Sequence, residues 1–117
     1  MSPAGDLESR LVYAGGGTIR CLDDEGHVTL SIEGELDHDT ASALVDSVAD
    51  AVTSNPRRID LDLRQLTAFA VPGARALGRC RDLCSQLPAG LHFRTEGGPG
   101  QNALLAAFDS EPPAIPD

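Results

Sequence analysis

The chain has 117 residues, with nine arginines, no lysine, eighteen acidic side chains and a formal net charge of −9. That length suits one compact domain with a single core, and the charge argues against a nucleic-acid surface, which needs a basic face. Tyr13, Phe69, Phe93 and Phe108 are its only aromatic side chains, too few for a base-stacking platform.

Met1–Glu8 carries no basic segment followed by an apolar run, so no secretory signal is expected. No apolar run approaches the roughly 20 residues that span a bilayer, and the chain is expected to be cytoplasmic and soluble. Cys21, Cys80 and Cys84 are an odd set, for which reduced thiols are the default in that compartment.

Residues 1–17 read as a mobile N-terminal segment in which Leu11-Val12-Tyr13 forms at most a short edge strand before Gly15-Gly16-Gly17 breaks it. Thr18–Leu22 and His27–Glu33 read as a hairpin joined by Asp23-Asp24-Glu25-Gly26. Val28, Leu30 and Ile32 alternate with Thr29, Ser31 and Glu33, as in a sheet covered mainly on one face. A helix follows from about Asp39 to Thr53, with Ala41, Leu44, Val45, Val48 and Val52 at helical spacing. Either Asp37 or Asp39 suits its N-cap.

The next strand spans Arg58–Leu63, where Ile59, Leu61 and Leu63 alternate with Asp60, Asp62 and Arg64. It leads through the loop Ala68-Phe69-Ala70-Val71 into a helix from Pro72 to about Gln86, with proline at the first helical position. Leu77, Cys80, Cys84 and Leu87 share one face of that helix, with Ala76 and Leu83 beside them. Leu91–Thr95 reads as a last strand, Glu96–Gly100 as a loop and Gln101–Phe108 as a short helix. Residues 109–117 form a proline-rich tail of disordered composition. The alternation predicts an α/β domain over residues 18–108, with a mixed sheet and helices packed mainly on one face.

The loop before the second helix occupies a position suited to anions, yet it has no hydroxyl, charge or side-chain donor. Thr67 is the nearest hydroxyl.

The segment Val28–Asp37, ending Gly34-Glu35-Leu36-Asp37, resembles the STAS domain of bacterial anti-sigma factor antagonists. So does Ile59–Leu63, with its Asp62-Leu63. Ala68-Phe69-Ala70-Val71-Pro72-Gly73-Ala74 aligns without a gap on that family's Phe-Ile-Asp-Ser-Ser-Gly-Leu. The resemblance covers roughly Thr18–Phe108. It implies a non-enzymatic protein-binding domain in partner switching, where the antagonist binds an anti-sigma factor, or a related serine-kinase-like regulator, until a serine is phosphorylated. Here Val71 stands at that serine, Ala70 at the preceding Asp and Pro72 at the following Ser or Thr, with only Gly73 unchanged. The resemblance therefore implies a docking face without its phosphate switch, built from Asp37, His38, Asp39, Thr40, Phe69, Ala70, Val71, Pro72 and Gly73. A plain cap and solvated turn is the competing reading of Asp37–Thr40. A ligand-sensing or structural module within a larger signalling complex is the competing function.

No nucleic acid, membrane, cofactor or metal partner is expected, while a homodimer stays open. Cys80 and Cys84 share a helix face, and with Cys21 or His92 they raise the question of a metal site. Their spacing lacks the second ligand pair of a zinc motif, and small core residues is the better reading. Gly97-Gly98-Pro99-Gly100 lacks the Gly-Lys-Ser/Thr of a P-loop and reads as a turn. Asp60 and Asp62 read as exposed carboxylates near a strand end. No Ser-His-Asp or Cys-His set suggests an enzyme.

Overall fold

A computed structural model describes residues 8–109. The expected mobile N-terminal residues before Glu8 and the proline-rich tail from residue 110 lie outside the described residues.

Five strands form one sheet in the order β1-β2-β3-β4-β5: β1 Glu8–Ala14, β2 Gly17–Asp24, β3 His27–Leu36, β4 Arg58–Phe69 and β5 Leu91–Arg94. β1–β2 and β2–β3 are antiparallel, whereas β3–β4 and β4–β5 are parallel. The parallel pairs are linked by α1, His38–Val52, and α2, Val71–Leu83, while α3, Gly98–Asp109, follows β5. β1 is a full seven-residue strand, longer than the Leu11–Tyr13 segment expected, because it pairs residue for residue with β2. The β2–β3 turn is Glu25-Gly26, both at positive φ, the backbone that a two-residue hairpin turn requires.

One sheet face carries the core. Ile19, Leu30, Ile32, Ile59, Leu61 and Leu63 are at most 1% exposed, and each such burial stabilises by about 1.5–3 kcal/mol. Leu44 and Val48 of α1, Leu77 and Cys80 of α2 and Ala103 of α3 close over them. The helices lie side by side in the order α1-α2-α3. Phe108 of α3 packs edge-on to Phe93 of β5 with centroids 5.8 Å apart.

β4 is twice as long as its alternating segment suggests. Ser31 pairs with Asp62 but Glu33 with Gln65, and Gly34 pairs with Leu66 but Glu35 with Ala68. At each irregularity β4 carries one residue more than β3, which is the signature of a bulge. The core face therefore passes from Leu63 to Leu66 and then to half-buried Phe69, three residues apart. Leu83, expected beside the apolar stripe of α2, is 37% exposed. The helix ends there, and Cys84 and Leu87 bury themselves from the turn beyond it.

Candidate functional site

The parallel arrangement brings the N-termini of α1 and α2 to the same end of the sheet, since each helix follows the end of a parallel strand. At α2, β4 continues through Phe69, so the expected loop shrinks to Ala70, the N-cap. Val71 is the first helical residue and Pro72 the second, one place later than expected. The second position tolerates proline equally, because its N–H would also lack an intrahelical partner. Ala70 makes no side-chain cap and the first turn holds no acidic residue. Its N–H donates to the Leu36 carbonyl at 3.1 Å, and its own carbonyl accepts from Ala74 N–H at 3.1 Å. Gly73 is buried where a Cβ would overlap the Leu36 carbonyl oxygen. Ala70, Val71 and Pro72 point outward, with Val71 62% exposed.

At α1 the N-cap is Asp37, which settles the choice between Asp37 and Asp39. Its Oδ1 accepts the Thr40 backbone N–H at 3.0 Å, and its Oδ2 accepts Gly16 N–H at 2.8 Å. The Thr40 hydroxyl, fully buried, lies 2.9 Å from Asp37 Oδ1 and 2.7 Å from the Ala14 carbonyl oxygen. It has one hydrogen for those two acceptors. The Thr40 backbone donor, then Gly16 N–H and the Thr40 hydroxyl, hold the Asp37 carboxyl below the usual carboxylate range. Asp37 and Thr40 therefore clasp α1 to the β1–β2 turn. His38 and Asp39 beside them are exposed.

Between the two helices lies a groove of about 460 Å³, lined by His38, Ser42 and Val45 of α1 and by Pro72, Arg75 and Arg79 of α2, among others. The expected site residues included only His38 and Pro72 of these. Arg75 and Arg79 stand four apart, opposite the apolar stripe of α2, so their common face was readable in the sequence.

The remaining motifs resolve as packing and ion pairing. Asp60 and Asp62 are buried, not exposed, at 5% and 8%. They lie on the sheet face away from the helices, beneath arginines of their own strand. Arg58 Nε donates to Asp60 at 2.8 Å, with His27 Nε2 3.0 Å from the other oxygen. Arg64 holds Asp62 through Nε at 2.9 Å and a terminal nitrogen at 2.7 Å. Burial pushes the Asp60 carboxyl up, but the bonds from Arg58 and His27 outweigh it and hold the group below its ordinary value. Asp62 is lowered mainly by its bonds from Arg64. Cys80 and Cys84 are fully buried free thiols, and burial pushes them up to about 12 and about 11. Among the described residues, no three His, Cys, Asp or Glu side chains gather as metal ligands would. The glycine-rich segment is not a loop before α3, because the helix already begins at Gly98. Gly100 is buried where a Cβ would overlap the Leu63 carbonyl oxygen, so it lets α3 approach β4. Among the described residues, no helix is long and apolar enough to cross a membrane.

A five-stranded mixed sheet with its parallel crossover helices packed on one face is the architecture of a STAS domain. The chain belongs to the family described as Mlab, STAS domain, which matches it over residues 22–110. Among solved structures it is similar to an anti-sigma factor antagonist from Mycobacterium paratuberculosis, at 19% identity and a TM-score of 0.58, covering 87% of this chain and 78% of that one. It is also similar to the anti-sigma factor antagonist SpoIIAA in its unphosphorylated form, at 17% identity and a TM-score of 0.50, covering 82% and 94%. A third likeness, to Mglu in its native form, has 15% identity and a TM-score of 0.58, and covers 66% of this chain but only 23% of that protein. No curated protein is significantly similar to the chain in sequence.

Proposed function

We propose that this chain is a non-enzymatic protein-recognition domain of the anti-sigma factor antagonist type, with an anti-sigma factor or related serine-kinase-like regulator as its partner. Its docking face comprises Phe69–Gly73 and the start of α1 at Asp37–Thr40, and no phosphate at position 71 releases it. The observation that carries this reading is Val71, an apolar side chain left 62% exposed at the first position of α2. It stands where the resemblance implies a phosphorylated serine. An exposed valine there presents apolar surface to a partner and offers no hydroxyl to a kinase. Phe69 and Gly73 seat the helix on the sheet, Asp37 and Thr40 fix the start of α1, and His38, Asp39, Ala70, Val71 and Pro72 make the contact.

The test compares wild type, Val71→Ser and Val71→Glu for affinity toward whatever protein the wild type retains from native lysate. Val71→Ser should bind as wild type does until a serine kinase and ATP are added. Val71→Glu should bind far more weakly, because a charge buried unpaired in an interface costs several kcal/mol. Equal affinity of Val71→Glu and wild type would remove this face from the interface.

A further inference from the structure

Exposed side chains of opposite charge stand on the outer ridges of α1 and α2. Asp39 and Asp46 are exposed on α1, and Arg75 and Arg79 are exposed on α2. Among the described residues none of these four is in an ion pair, whereas Asp50 of α1 pairs with Arg10 and Arg81 of α2 with Asp82. Asp46 and Arg79 flank the groove at one height, since both line the groove and its continuation toward Leu83, away from the helix N-termini. His38 and Pro72 flank its upper end.

The helices run in the same direction, because each connects one parallel strand to the next. A two-fold axis laid along the groove, parallel to both helices, therefore places α1 of one copy over α2 of the other without changing height. The partner's Asp46 then meets Arg79, and the partner's Asp39 meets the N-terminus of α2. That terminus lacks both a side-chain cap and an acidic residue in its first turn, whereas α1 has both. Each deficit of one helix matches a surplus of the other at equal height. Such self-complementarity is what an isologous contact requires.

We infer that the α1–α2 face binds a second copy of this chain, acidic ridge against basic ridge, in a parallel two-fold dimer. The inference does not rest on the docking reading, and either can fail alone. The size of the face sets its strength. Two helices about 20 Å long, with axes about 10 Å apart, offer roughly 20 Å by 20 Å of surface. That falls in the small class of interfaces, below about 1,200 Å² in total. The dimer is accordingly weak, reversible and salt-sensitive.

The experiment is sedimentation equilibrium on the whole chain and on two charge-reversed variants, Arg75→Glu with Arg79→Glu and Asp39→Arg with Asp46→Arg. All substituted positions are exposed, and circular dichroism melts confirm that each variant folds. Wild type should form dimers that dissociate on dilution and as salt rises to about 0.5 M. Each variant alone juxtaposes like charges and should weaken self-association by about tenfold or more. An equimolar mixture of the two restores opposite charges across both halves and should return association to near the wild-type value. A wild type that stays monomeric throughout, a dimer indifferent to both reversals, or a mixture that stays as weak as its components would each overturn the inference.

Discussion

Gly73 faces the carbonyl oxygen of Leu36 so closely that a side chain added at position 73 would overlap it. The same carbonyl accepts the Ala70 N–H. The end of β3 thus serves as the seat for the first turn of α2, and the glycine is what lets the helix sit down.

Gly73→Ala should destabilise the domain by about 1–3 kcal/mol, the usual cost of forcing a methyl into a filled site. Gly78→Ala is the control. It lies inside the same helix with nothing within 4 Å of an added Cβ, and it should stabilise by about 0.5–1 kcal/mol through helix propensity. Urea midpoints of the two variants should move in opposite directions, and a shared direction would remove the Leu36 contact as the reason for glycine at 73.

Ala70→Asp supplies the side-chain cap that α2 lacks, and should raise stability by about 0.5–2 kcal/mol. Val71→Glu should add about 0.3–1 kcal/mol at low ionic strength by placing a negative charge on the positive end of the helix. Thermal melts at low and high salt check this, because the Val71→Glu gain should fade with screening. A lower melting temperature for either variant would mean that the helix start is not as open as it looks.

Acid should unfold the domain through its lowered carboxyls. Asp37, Asp60 and Asp62 all lie below their ordinary value of 3.8 in the folded state. Each contributes stability that is complete above the unfolded value and is lost as pH falls through the folded one. Stability should therefore hold from neutral pH to about 5 and then decline. Asp62→Asn should flatten that acid limb while lowering stability at neutral pH, since Arg64 loses its carboxylate. Unfolding free energies from pH 7 to 2 would show this, and an unchanged acid slope would count against the Arg64 pairing.

Cys80 and Cys84 should resist thiol reagents in the native state. Both are fully buried, and with thiols raised to about 12 and about 11 they hold little thiolate. Labelling in aqueous buffer should proceed at the rate of opening, and denaturant should accelerate it sharply. Rapid stoichiometric reaction of either thiol in the native protein would contradict the packing of α2 against the sheet.

The sequence was most readable where periodicity is regular. Val28, Leu30 and Ile32 kept to one face, and so did Ile59, Leu61 and Leu63. Period-two reasoning stopped at Leu63 because the two bulges that follow change the core spacing to Leu66 and Phe69, and only a partner strand reveals a bulge. Asp60 and Asp62 looked exposed because a carboxylate on the polar side of a strand usually is. Their burial depends on Arg58 and Arg64, two residues along, folding back over them. The choice between Asp37 and Asp39 needed the β1–β2 turn, since Gly16 N–H and the Ala14 carbonyl single out the Asp37–Thr40 pair. Gly100 looked like loop punctuation because its contact, Leu63, lies far off in sequence. The exposed apolar start of α2 was legible, but its groove with α1 emerged only when two crossovers set the helices side by side.

The clasp between hairpin and helix has a kinetic consequence. Gly16 donates to Asp37, and Thr40 lies within reach of Ala14, so the β1–β2 turn cannot swing outward while the first turn of α1 stays capped. Opening of the N-terminal hairpin and fraying of α1 become a single cooperative event. The amide protons of Gly16 and Thr40, 24 residues apart, should then exchange with solvent at one common opening free energy, as members of the same unit.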